Sequence, residues 1–223
     1  LSEGMICSES ELGLADSAPG IMVLPNNAPV GEDVIKYLNL DDNIIDIELT
    51  ANRGDCANYI GTAREIAVIN KKDYKLPEYL ENFINLGKNY FNNKQKNHLE
   101  SQVCHHGNKD ICSAYSLYKI DLGLGSENKN LPKSSIDLSE FLRRSGVSSV
   151  NVIVDIINSA MLNLGQPMHA FDFDELNGDI SIRMAKKGEK LTALNDQTYD
   201  LNTDTLIIAD DSGPLAIAGV IGA

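Results

Sequence analysis

One short stretch gathers side chains that can do chemistry. Gly165 to Asp172 reads G-Q-P-M-H-A-F-D and sets an amide (Gln166), an imidazole (His169) and a carboxylate (Asp172) in a tight loop. An imidazole titrates near neutrality and can take or give a proton, while an amide both donates and accepts hydrogen bonds. These residue types bind and orient a polar ligand or a water molecule. Two of them have a second reading. His169 can hydrogen-bond its own loop backbone, and Asp172 can cap a short helix over 174–176.

A rigid element must aim such a loop. Ile153, Ile156, Ile157, Ala160, Met161 and Leu164 recur at the spacing of one helix face, which predicts a helix of about four turns. Gly165 stands where a left-handed residue would end it, and Pro167 prevents it from restarting. Asp155 and Asn158 lie on this helix either as solvated polar positions or as ligand contacts.

The remaining elements are shorter. Gly31-Glu32-Asp33 opens a helix with Val34, Ile35 and Leu38 on one side. In I-I-D-I-E-L, Ile45, Ile47 and Leu49 alternate with Asp46 and Glu48, the pattern of a half-buried strand. A helix from about Ala57 to Asn70 turns Ile60, Ala63 and Ala67 inward, with Asp55 as its cap and Arg64 beside Glu65 as a charge pair. Ser134 caps a further helix with the stripe Leu138, Phe141 and Leu142, ended by Gly146. Tyr115 to Leu122 predicts a strand, and Ile180, Ile182 and Met184 alternate inward in another. Turns follow at Lys187-Gly188, Asn195-Asp196 and Asp211-Ser212-Gly213-Pro214. Helices early and short strands late predict an α+β chain, a small helical domain followed by a mixed α/β domain.

Composition narrows the function. The 223 residues are 43% apolar and 23% charged, enough for one or two domains with a sizeable core. A net charge of −13 opposes nucleic-acid binding by general electrostatics. Arg143, Arg144, Lys186, Lys187 and Lys190 read as helix-end and turn charges, so any RNA contact is local or supplied by a larger assembly. Cys7, Cys56, Cys104 and Cys112 are scattered, which suits free thiols in a reducing compartment. No apolar run reaches the length of a membrane span, so the expected location is cytoplasmic with no membrane partner. Cys104-His105-His106 with Cys112 offers four zinc ligands. Adjacent histidines and the missing C-x₂₋₄-C spacing favour an ordinary loop with a buried Cys112, so no metal site is expected. The chain begins without methionine and stops inside the apolar run 215–223, and so reads as a piece of a longer protein.

Three motifs carry a family resemblance. G-Q-P-M-H-A-F-D, preceded by Val154-Asp155 and followed by A-G-V-I-G (218–222), resembles the editing module of the bacterial phenylalanine–tRNA ligase beta-subunit family. S-E-G-M-I-C-S-E-S-E-L-G (2–13) is similar to the end of that family's tRNA-binding OB domain, and N-R-G-D-C (52–56) with G-T-A-R-E (61–65) to the region between them. The resemblance implies an OB-domain tail over 1–18, a small helical connecting domain over 19–72, a linker or insertion over 73–112, and an editing domain from 113.

What the family does becomes an expectation here. A pocket shaped for phenylalanine rejects tyrosine weakly, because an added hydroxyl costs little in an apolar site. The editing module hydrolyses the mischarged tyrosyl-tRNA(Phe). The resemblance places His169 as the residue orienting the water or the terminal ribose. It places Gln166, Pro167, Met168, Ala170, Asn158, Ala218, Gly219 and Gly222 as substrate-binding residues. Aminoacylation, with ATP and Mg, would belong to the alpha subunit of a heterotetramer, and this piece itself would hold no cofactor; its partners would be tRNA(Phe) and that subunit. There are departures. Ile157 and Ser159 stand where the family has threonine and tyrosine, Tyr118 where it has arginine, and Ala51 where it has proline, and its closing glycine pair is Gly222-Ala223 here. Ile157 removes a hydroxyl from the pocket, which favours an alternative in which a degenerate editing fold serves tRNA docking or subunit packing without hydrolysis.

Overall fold

The computed structural model describes residues 4–78, 80–82, 84–85, 99–103, 111–112, 115–123 and 131–222. It is an α+β chain of helices and antiparallel sheets of short strands. Two compact units form: Leu1–Leu76 with Asn130–Met168, and Pro77–Lys129 with His169–Ala223.

The first unit holds four helices: α1 (Val34–Tyr37), α2 (Tyr59–Ile69), α3 (Ile136–Arg144) and α4 (Val152–Leu164). Each begins with a polar cap. Asp33, Asn58, Ser135 and Asn151 accept hydrogen bonds from first-turn backbone N–H groups. Two expected caps are therefore corrected. Asn58, not Asp55, caps α2, while Asp55 turns back to Arg53 at 3.1 Å. Ser135, not Ser134, caps α3.

Ser134 is drawn elsewhere by a buried acid. Asp155 is fully buried, and its Oδ2 accepts from the hydroxyls of Ser134 and Ser149, each at 2.5 Å. Its Oδ1 accepts from the Val150 N–H at 2.9 Å. Burial alone would raise this carboxyl, but the two hydroxyls and the amide more than offset that and hold it below the usual carboxylate range. The reading of Asp155 as a solvated helix position is thus overturned. The helix is also rolled from the expected stripe: its most buried side chains are Asp155 and Asn163, and Ile156 is 56% exposed.

Other charges of this unit are consumed internally. Arg53 bridges Asp55 and Glu65, at 2.8 Å to the latter, so Glu65 pairs with Arg53 rather than with Arg64. Arg64 lies over the Tyr74 ring instead. Arg143 grips Glu140, and Arg144 reaches Asp42 and the carbonyls of Leu38 and Asn39. Gly61 is a close-packing residue: a Cβ there would lie 1.7 Å from the Asp55 carbonyl oxygen. Ala63, expected inward, is exposed, and residues 44–49, expected as a half-buried strand, are exposed and pair with no strand among the described residues.

The second unit is built on sheets. β1 (Leu99–Val103) pairs antiparallel with β2 (Ser116–Ile120). β3 (Ser181–Met184), β6 (Leu206–Ala209), β7 (Pro214–Ile217) and β8 (Ile221–Gly222) form one antiparallel sheet in the order β3-β6-β7-β8. β4 (Lys190–Thr192) and β5 (Thr198–Asp200) form a hairpin turned by Asn195-Asp196. β6 is buried on both faces. Ile207 and Ala209 point into a cluster with Ala185, Leu191, Ala193 and Leu201, and Ile208 into another with Ile180, Ile182 and Ala216. Ile180 and Ile182 are inward as expected, whereas Met184, at the strand's end, is 38% exposed.

The zinc candidates Cys104, His105 and His106, and most of the stretch read as an insertion, lie outside the described residues. Cys112 is half-buried rather than buried and packs against the second cluster. Among the described residues no group of three or more His, Cys, Asp or Glu is placed to hold a metal ion, and no helix is long and apolar enough to cross a membrane.

Two outcomes follow. Asp155→Ala strands two hydroxyls and an amide in a buried place and should cost about 3 kcal/mol in urea denaturation. Glu189, gripped by Arg183 and by the Lys186 N–H, has a pKa lowered to about 2, and Asp155 and Asp210 are also lowered. All three folded values lie below the unfolded ones. Their stabilisation is therefore complete above about pH 4.5 and is lost as pH falls through the folded values. Urea midpoints should drop between about pH 4 and pH 2, and Glu189→Gln should flatten that drop.

Candidate functional site

The loop Gly165–Asp172 begins at a well-defined helix end. Asn151 starts α4, and Gly165 ends it in the left-handed region (φ 77°), its N–H donating to the Met161 carbonyl at 2.8 Å. A second constraint acts on the same glycine: a Cβ there would lie 2.5 Å from Asn58 Nδ2. Asn58 is itself held, its Oδ1 accepting from the Gly61 N–H at 2.8 Å and its Nδ2 donating to the Asp55 carbonyl at 3.2 Å. The cap of α2 thus seats the exit of α4, a contact between residues more than a hundred positions apart that no local pattern reveals.

Gln166, Pro167 and Met168 follow in the first unit and are exposed; Gln166 Nε2 makes a long contact of 3.4 Å to the Pro167 carbonyl. Asn158 and Ile157, further back on α4, are half-buried.

His169 and Ala170 open the second unit's share of the loop. His169 is exposed and lies parallel to the Phe171 ring, with centroids 6.2 Å apart and an interplanar angle of 23°. Phe171 and Leu176 pack on the buried cluster of Ile180, Ile182, Ile208 and Ala216. Asp172 accepts from the Asp174 N–H at 3.1 Å and caps the 3₁₀ turn Phe173–Glu175, which fulfils its structural reading. Lys119 Nζ stands 3.5 Å from the centroid of the Phe173 ring.

The far end of the loop is tied to the sheet by a second buried acid. Asp210 Oδ2 accepts from the Asn177 N–H at 2.8 Å, and its Oδ1 accepts from the Ser212 N–H and hydroxyl and the Gly213 N–H. Burial would raise this carboxyl, yet the four donors lower it. Ala218 and Gly219 form the turn after β7, and Gly222 lies on the edge strand β8. Ala218 packs on the same cluster as Phe171. The second unit therefore fastens both the histidine segment and the small-residue turn to one core. The boundary between units falls between Met168 and His169, so Gln166, Pro167, Met168 and Asn158 belong to one unit and His169, Ala170, Ala218, Gly219 and Gly222 to the other.

Sequence reasoning missed Asn58, Ser149 and Asp210. An asparagine three residues before Gly61 at the head of a helix was the available signal for the first; the other two act only through the folded chain.

Comparison with known proteins gives two results. Residues 122–223 match the B3/4 domain. The chain is 46% identical over 222 residues to the phenylalanine–tRNA ligase beta subunit of Francisella tularensis subsp. tularensis, covering 99% of this chain and 26% of that protein. It is 44% identical over 222 residues to that of Idiomarina loihiensis, with the same shares, and 41% identical over 223 residues to that of Legionella pneumophila, covering 100% and 26%. The chain spans about a quarter of the length of these relatives.

The Asn58–Gly165 contact predicts coupled substitutions. Gly165→Ala should destabilise the chain through both its left-handed backbone and the clash. In an Asn58→Gly background, which keeps a tolerated cap, the cost should fall by about 1 kcal/mol. A double-mutant cycle in urea measures it.

Proposed function

The chain belongs to the phenylalanine–tRNA ligase beta-subunit family, and we propose that its second half edits mischarged tyrosyl-tRNA(Phe) by ester hydrolysis. The supporting observation is that Phe171, two residues after His169, and Ala218, at the small-residue turn, pack on one buried cluster. That common core holds an exposed imidazole and the small residues Ala218 and Gly219 in one frame, as a site for a ring-bearing ester requires.

In this reading His169 orients a water molecule or the terminal ribose. The water oxygen attacks the ester carbonyl carbon, the bond from that carbon to the ribose oxygen breaks, and the ribose hydroxyl recovers a proton. Ala170 contacts the substrate, and Ala218, Gly219 and Gly222 leave room for it. The domain limits keep the form given above, with the editing domain from residue 113. Within the parent, tRNA(Phe) and the alpha subunit are the partners, the cytoplasm is the location, and ATP with Mg serves the alpha subunit's aminoacylation centre. No step proposed for this segment passes through either.

A second reading is favoured by Ile157, half-buried on α4 where the family carries threonine. It keeps the fold for docking or packing without hydrolysis. Deacylation of tyrosyl-tRNA(Phe) by the full-length subunit in its ligase separates the two. His169→Ala should slow release of tyrosine on the order of a hundredfold, and Ile157→Thr should speed it. Unchanged rates in both variants would leave the second reading standing.

A further inference from the structure

The end of α2 carries charge that its own unit does not neutralise. Residues 64–75 contain Arg64, Lys71, Lys72 and Lys75 against Glu65 and Asp73. Glu65 is held by Arg53 at 2.8 Å, which leaves the segment basic on a chain of net charge −13. All four cations are exposed, and among the described residues none lies within ion-pair distance of an acid. The other arginines each hold an acid, whereas Arg64 lies 5.6 Å from the centroid of the Tyr74 ring.

The backbone that presents these charges is fixed. The Lys72 N–H donates to the Ala67 carbonyl at 2.9 Å and the Lys71 N–H to that of Val68 at 3.1 Å. These paired bonds close a helix through a left-handed residue, here Lys71 with φ 52°. Glycine is the usual occupant of that place, because a β-carbon is disfavoured there. The helix dipole does not account for the lysines either, since it acts within the last turn, which holds no basic residue. Past the turn, Tyr74 lies back under Arg64, about 8 Å along the helix axis from Ile69. The four cations are thus gathered at one end of α2 with an aromatic ring among them.

We propose that this basic end of α2 is a contact for the phosphate backbone of tRNA(Phe). Exposed ammonium groups on a fixed backbone, beside a guanidinium oriented by a ring, suit successive phosphates and read no base. The acidic remainder of the chain repels RNA, so binding here is local, and a local positive potential is what phosphate requires. The inference rests on tRNA(Phe) being the parent's partner and not on the editing reading.

Binding of tRNA(Phe) to the full-length ligase over a range of salt tests it. Lys71→Gly relieves the left-handed strain while removing a charge. It should keep or raise the urea midpoint, yet weaken tRNA binding about fivefold and lessen the salt slope by about 0.9. Lys71→Arg should bind as the wild type does. Changing Lys71, Lys72 and Lys75 together to Gln should cost about a hundredfold, whereas Lys186→Gln with Lys187→Gln, in the second unit, should cost nothing. Unchanged affinity and slope in the triple variant would overturn the proposal. So would an equal loss in the second-unit control, which marks a general effect of net charge. A wild-type ligase that fails to bind tRNA(Phe) would overturn the partner reading, and this proposal with it.

Discussion

The first unit depends on a carboxylate buried without a cation. Asp155 takes its charge out of water and receives in exchange two hydroxyls and one amide, from Ser134, Ser149 and Val150. A buried charge is tolerated only when its lone pairs are filled, and here they are filled by segments that lead into α3 and into α4. One atom group therefore sets how the two helices start relative to each other. The arrangement of α4 follows, down to the glycine at its far end.

The second unit repeats the device at Asp210, whose donors come from the β6–β7 turn and from Asn177. The loop containing His169 is thus held at both ends by different physics. Phe171 and Leu176, both half-buried, pack on an apolar cluster, and Asn177 is fixed by its N–H bond to an acid. β6 makes this possible because it is buried on both faces: one cluster receives the β4–β5 hairpin and the other the loop.

Arginines are mostly consumed within the chain. Arg53, Arg143, Arg144 and Arg183 each hold an acid of their own unit. Little guanidinium is left for phosphate, in keeping with the acidic composition, and the proposed recognition of an aminoacyl ester rests on shape and an imidazole rather than on charge. The exposed Lys119 lies over the ring of Phe173, the residue that follows the histidine loop.

Local rules determined a good deal. The period of α4, its end at Gly165, the cap at Asp172, the strand alternation of Ile180 and Ile182, and the hairpin turn at Asn195-Asp196 are each decided by a few adjacent residues, and each is legible in the sequence. The family motifs, too, are strings of neighbours. Tertiary structure decided what depends on distant partners. It chose Asn58 over Asp55 as a cap, sent Ser134 to Asp155 and Glu65 to Arg53, buried Asp155 in place of Ile156, and left Ile45 and Ile47 in solvent. The physical reason is common to all of these. A polar side chain has several acceptable local partners of nearly equal energy, and only the packing of remote segments, with the desolvation it imposes, selects among them.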